Sequence, residues 1–169
     1  MMGTDMDLFQ IALLLSALLC SLVAGIVLTF AIVVMPGIRS MGDRDYLMAF
    51  KVMDRVIQNN QPVFMLVWVG SALLLLATTV WGFWRLEGLD RILLVVAGVI
   101  YIFGVQVPTG TINVPINNRL QAQDLDTSSE TELRALAETY ETRWLRWNTI
   151  RTIAAIASTV LLLVLLNRL

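Results

Sequence analysis

The chain contains no histidine. That absence excludes His-ligated haem, His-bound zinc or copper, and every catalytic triad built on an imidazole base. Cysteine is nearly as scarce. Cys20 stands alone, so an internal disulfide and a thiolate metal cluster are both impossible. Its place inside an apolar block marks it as a small core residue. Charge is thin too, at 15% of residues against about 25% in soluble domains. A net charge of −1 from 12 basic and 13 acidic side chains leaves no electrostatic footprint for nucleic acid. No basic segment precedes the first apolar block, which is also far longer than a signal core, so a cleaved signal peptide is not expected. Leu19 is too large for the position before a lipoprotein cysteine. No phosphate-binding glycine loop is present, since Pro108-Thr-Gly-Thr111 lacks both the spacing and the lysine. Every Asp and Glu lies outside the apolar blocks, which argues against paired-carboxylate catalysis within them.

What is abundant is apolar surface. It makes up 57% of 169 residues, enough length for one domain, and it is gathered into four blocks. The first runs from Leu8 to Met35 without a charge and stops at Pro36-Gly37. About 20 apolar residues span a hydrocarbon core of roughly 30 Å, so this block has length to spare. Ala17, Ser21, Gly25 and Thr29 recur along it every fourth residue and predict a face where a neighbouring helix approaches closely. The second block, Pro62 to Trp84, opens on a first-turn proline and closes on Trp81 and Trp84 as an interfacial belt. The third, Ile92 to Val107, ends at Pro108, and the fourth runs from about Thr149 to Leu166. The expected fold is all-α: a single integral membrane domain of four transmembrane helices, embedded in a lipid bilayer.

Two longer polar segments, residues 39–61 and 109–148, form a cap on one side of the bundle. In the first, Tyr46, Phe50, Met53 and Ile57 fall at helical spacing, with Arg44, Lys51, Asp54 and Arg55 elsewhere. This reads as an amphipathic helix lying on the membrane or over the bundle mouth. The second begins irregularly, around Asn113-Val-Pro-Ile-Asn-Asn-Arg119, and turns acidic and Ser-rich. It restarts at Ser129, which with Glu132 has the form of a capping box. From there one long helix of about 38 residues, or about 57 Å at 1.5 Å per residue, continues into the fourth span. Most of the Lys and Arg residues sit on the cap side, while the N-terminal tail is acidic through Asp5 and Asp7. The positive-inside rule then places the cap in the cytoplasm and both termini outside, in a plasma (inner) membrane.

One stripe on the last helix carries chemistry. Tyr140, Trp144, Trp147, Asn148 and Arg151 fall within an arc of about 100°. The same face continues with Ala155 and Ser158, so the stripe should point into the bundle. An arginine one turn inside a membrane helix needs protein or water around it. Trp144 and Arg146 taken alone read better as interface anchors, while for Arg151 with Asn148 both readings stay open. Asn113, Asn117, Asn118 and Arg119 lie just beyond the third block, with Asn60 and Arg39 at the same depth. Four segments thus deliver amides and arginines to one end of the bundle. No metal ligands and no cofactor are expected there.

Val34-Met-Pro-Gly37, Asn59-Asn-Gln-Pro62, Asn113-Val-Pro-Ile-Asn-Asn-Arg-Leu120 and Trp144 through Trp147-Asn148-Thr-Ile-Arg151-Thr152 resemble the small four-helix membrane family that includes the anthrone oxygenases. The resemblance implies oxidation of an anthrone to an anthraquinone by dioxygen. On that basis Arg151 and Asn148 would be the reacting groups, with Tyr140 or a substrate-derived proton path serving as the base. Trp144, Trp147, Asn113, Asn117, Asn118, Arg119, Asn60 and Arg39 would bind the substrate. A cofactor-free reaction is expected because His and Cys ligands are missing. The alternative is a non-catalytic membrane protein that binds a quinone-like or lipid ligand or a partner helix. A homo-oligomer is compatible with either.

Overall fold

The computed structural model describes residues 6–169; Asp5 of the acidic tail lies outside them. The described residues form five long helices and no strand. Four are long and apolar enough to cross a membrane: α1 (Leu8–Arg39), α3 (Pro62–Arg85), α4 (Gly88–Ala122) and α5 (Glu130–Arg168). The fifth, α2 (Asp43–Gln58), is the amphipathic helix between α1 and α3. The chain is a multi-pass membrane protein. An Asp7–Gln10 capping box starts α1, and the expected Ser129–Glu132 box starts α5.

The helices run past the prolines at which they were expected to stop. Proline lacks an N–H, and its ring strikes the carbonyl four residues back. For Pro36, Pro108 and Pro115 those carbonyls belong to Ile32, Gly104 and Thr111. Each lies inside a widened π turn: Phe30–Val34, Ile102–Gln106 and Thr109–Asn113. The turns are closed by Met35 N–H to Phe30 O, Val107 N–H to Ile102 O and Val114 N–H to Thr109 O. Widening moves the threatened carbonyl aside and keeps the helix continuous. The stretch expected to be irregular around Asn113 is therefore helical. A fourth π turn, Tyr140–Trp144, interrupts α5 without a proline.

Two cores stack along the bundle. The lower one joins α1, α3, α4 and α5 through residues such as Phe9, Leu13, Cys20, Leu75, Leu94 and Leu162. Hydroxyls cross-link it: Ser16 to Thr78 at 3.1 Å, Ser71 to Tyr101 at 2.7 Å, and Ser158 donating to the Ala97 carbonyl at 2.9 Å. Gly104 brings α4 against α5 so closely that a Cβ there would lie 2.5 Å from Ala154 Cβ. Ion pairs Arg85–Asp7 and Arg168–Asp90 tie the helix ends on this side. The upper core belongs to the cap and contains Met35, Tyr46, Leu47, Phe50, Leu120, Leu133 and Tyr140.

Two expectations about faces are corrected. The small-residue stripe of α1 is no packing face within the protein, because Ser21, Gly25 and Thr29 are exposed. The buried face instead carries Leu13, Ala17, Cys20, Ala24 and Val27. Ser21 and Thr29 bond their own helix backbone, so exposing them to lipid leaves no hydroxyl unsatisfied. On α2, the buried residues are Tyr46, Leu47, Phe50, Lys51 and Asp54. At 100° per residue their centre is rotated by roughly 60° from the Tyr46–Phe50–Met53–Ile57 face. Lys51 tolerates burial because its ammonium donates to the Gln123 carbonyl. Asp54 is also satisfied, by partners within the cavity described next.

Candidate functional site

Between the two cores lies a cavity of about 290 Å³, lined from all five helices. That is near the lower end of the range for ligand sites, about 300–1,000 Å³. Its walls are aromatic. Phe64 and Trp68 stack at 5.3 Å on α3, and opposite them Phe50 meets the Trp144 ring edge-to-face at 5.1 Å. Phe30 packs against both Phe50 and Trp144. A flat π system fits between such walls.

Arg151 reaches into this cavity with 5% of its surface exposed. Its guanidinium carbon lies 5.7 Å from the Trp144 ring centre and 6.0 Å from that of Trp68, distances at which a cation is drawn to an aromatic face. One terminal nitrogen donates to Thr109 Oγ1 at 3.0 Å, and the other to Asn148 Oδ1 at 2.9 Å. Asn148 in turn donates to the Val27 carbonyl at 2.9 Å, which fixes the direction of its amide. Among the described residues no carboxylate pairs with Arg151, and its Nε is buried without an acceptor. A buried cation with an idle donor is costly by several kcal/mol unless something neutralises it.

At the cap end sits Asp54, 4% exposed. Its Oδ1 accepts from Asn117 Nδ2 at 2.7 Å. Its Oδ2 accepts from Gln58 Nε2 at 2.7 Å and Gln121 Nε2 at 2.8 Å. A relay joins the two ends. Asn117 Oδ1 accepts from Trp144 Nε1 at 2.8 Å, and Asn113 Nδ2 donates to the Trp144 carbonyl at 3.2 Å. Those bonds settle both amide orientations and leave Asn113 Oδ1 buried with no donor. The π turn at Tyr140–Trp144 shifts the helical phase just where Trp144 must face the cavity.

Of the residues singled out in the sequence, Arg151, Asn148, Trp144, Asn113 and Asn117 meet on the cavity wall. The others lie elsewhere. Tyr140 is buried in the cap core, its hydroxyl donating to the Ile116 carbonyl at 3.2 Å. Trp147 is half-buried beside the lining. Asn118 is exposed and accepts from Gln58, and Arg119 is exposed. Asn60 forms the turn before α3, with φ of 57°, and Arg39 pairs with Asp43 and Glu141 on the surface. Asp54, Gln58, Thr109 and Trp68 line the cavity as well and were not singled out. The visible signal for Asp54 was its place four residues after Phe50, itself four after Tyr46. No group of three or more His, Cys, Asp or Glu side chains among the described residues converges on a point.

Helices, cavity and polar lining together define a four-helix membrane protein with a pocket under its cap. The profile of the anthrone oxygenase family matches residues 50–161, and the chain belongs to that family. The match takes in Asp54, Asn113, Asn117, Trp144, Asn148 and Arg151, while all of α1 precedes it. No match is found among curated proteins or among solved structures.

Proposed function

We propose that the cavity binds a flat, oxygen-bearing aromatic of the anthrone or hydroquinone type and that the protein oxidises it with dioxygen. One observation carries this reading: Arg151, a buried cation with no carboxylate partner among the described residues, lines an aromatic-walled cavity. A ligand oxygen that gains negative charge beside the guanidinium would supply the missing counter-charge.

Beside the guanidinium, the chemistry needs dioxygen and a proton acceptor. Loss of one methylene proton turns an anthrone into its enolate, whose oxygen is stabilised by the guanidinium in a water-poor site. The carbanion gives one electron to dioxygen, and the radical pair joins as a C–O bond. The resulting hydroperoxide expels water together with the second methylene hydrogen. One oxygen atom ends in the new ketone and the other in water, so two hydrogens and one dioxygen are consumed per anthraquinone.

The test is oxygen uptake by purified protein in nanodiscs supplied with an anthrone. Turnover at one dioxygen per anthraquinone, lost in Arg151→Ala, supports the proposal. Uptake no faster than that of the Arg151→Ala protein overturns it. Saturable anthraquinone binding without turnover would favour the rival reading, a ligand-binding membrane protein that does no chemistry. We further place the cap in the cytoplasm, on the strength of Arg44, Lys51, Arg55, Arg119, Arg134 and Arg143 on that side. Labelling of a cysteine introduced at Ser129 only after the membrane is permeabilised from outside would bear this out.

A further inference from the structure

We infer that Asp54 is the proton acceptor of this cavity, the group that takes the substrate's carbon-bound proton and returns it to the peroxide. The inference rests on the oxidative reading above and adds the base that reading requires. Tyr140 cannot serve, because its hydroxyl is spent on the Ile116 carbonyl within the cap core. Among the described residues, Asp54 is the one carboxylate on the cavity wall.

Its geometry suits the role. A carboxylate offers about four acceptor positions. Gln58 and Gln121 occupy both on Oδ2, whereas Oδ1 receives Asn117 alone. One lone pair of Oδ1 is therefore left without a donor, on a residue that lines the cavity. The three amides come from α2 and α4, so the carboxylate is held at fixed orientation.

Separation from Arg151 matters equally. The acid and the cation make no ion pair and are bridged by Asn117 and the Trp144 ring. A substrate lying along that wall presents its oxygen to the guanidinium and its acidic carbon to Asp54. The C–H bond breaks as an O–H bond forms on Oδ1, and the electron pair moves to the oxygen beside Arg151. After dioxygen adds, the peroxide anion takes the proton from Asp54. The restored carboxylate then removes the second methylene proton as the O–O bond breaks. The departing hydroxide takes that proton as water, and Asp54 ends each turnover as it began.

Wild type and Asp54→Asn are compared in nanodiscs for oxygen uptake with an anthrone and for anthraquinone binding, read by quenching of tryptophan fluorescence. A general base contributes about 100-fold or more, so uptake should fall by at least that while binding stays near the wild-type value. Turnover should return at alkaline pH, where the anthrone ionises in solution. Asp54→Glu, with its carboxylate displaced, should slow proton removal and enlarge the rate effect of deuterium at the methylene. It also carries the test should Asp54→Asn not accumulate as folded protein. Wild-type rates in Asp54→Asn, or an unchanged deuterium effect in Asp54→Glu, overturn the inference. Absence of turnover in the wild type itself removes the oxidative reading and this role with it.

Discussion

The lower bundle and the space beneath the cap share four helices, with α2 added above, yet they treat polar groups in opposite ways. Below, hydroxyls pair across helices: Ser16 with Thr78, Ser71 with Tyr101, Ser158 with a carbonyl. The groups left idle away from the cavity, the Thr79 and Thr159 hydroxyls and the Gln106 amide nitrogen, are neutral. Around the cavity, the idle groups are one nitrogen of a guanidinium and one amide oxygen, both on residues that line it. Leaving a charged group's donor idle costs far more than leaving a hydroxyl idle. The lower half is finished as it stands, and the upper half is complementary to something else.

That contrast can be broken most sharply at Arg151. Removing one preorganised donor to a developing oxyanion costs about 10² to 10³ in rate, so Arg151→Ala should lose oxygen uptake by that factor while its melting temperature holds or rises. A lower melting temperature with unchanged uptake would make Arg151 a structural residue. Next comes Gly104, at the boundary of the two regions. Gly104→Ala sets two methyl groups 2.5 Å apart and should cost about 1–3 kcal/mol by forcing α4 from α5, read as a lower unfolding midpoint in detergent. A neutral result would mean that the π turn at Ile102–Gln106 absorbs the strain. Tyr101→Phe probes the lower region alone. It leaves Ser71 with only its bond to the Trp68 carbonyl and should cost about 0.6–1.7 kcal/mol, the range for hydrogen bonds between membrane helices, with anthraquinone binding untouched. The smallest effect belongs to Arg168→Ala, which removes an exposed ion pair worth about 0–1 kcal/mol.

The lower region was legible almost in full. Apolar blocks longer than a bilayer core, the Ser129–Glu132 box and the unbroken pattern into the last helix follow from local rules. The Asn113, Asn117, Trp144, Asn148 and Arg151 set was legible too, since periodicity alone puts Trp144, Asn148 and Arg151 on one face. Three features were hidden. Prolines read as stops because the π turns that rescue them leave no mark in composition. Ser21, Gly25 and Thr29 looked like a packing face because small residues pack well, but which face of α1 turns inward depends on Leu13, Cys20 and Val27 meeting the other helices. Asp54 was hidden for the same reason. Its burial depends on Asn117 and Gln121, more than sixty residues away in sequence, and helical spacing on α2 favours the apolar Met53 and Ile57 instead.

The most direct measurement is a structure determined with an anthraquinone or a non-reactive anthrone analogue added. A planar ligand should lie between Trp68 and Trp144 with one oxygen roughly 3 Å from the Arg151 guanidinium and a ring edge turned toward Asp54. A cavity without ligand, or a ligand seated only on the outer face of α1, would contradict the site.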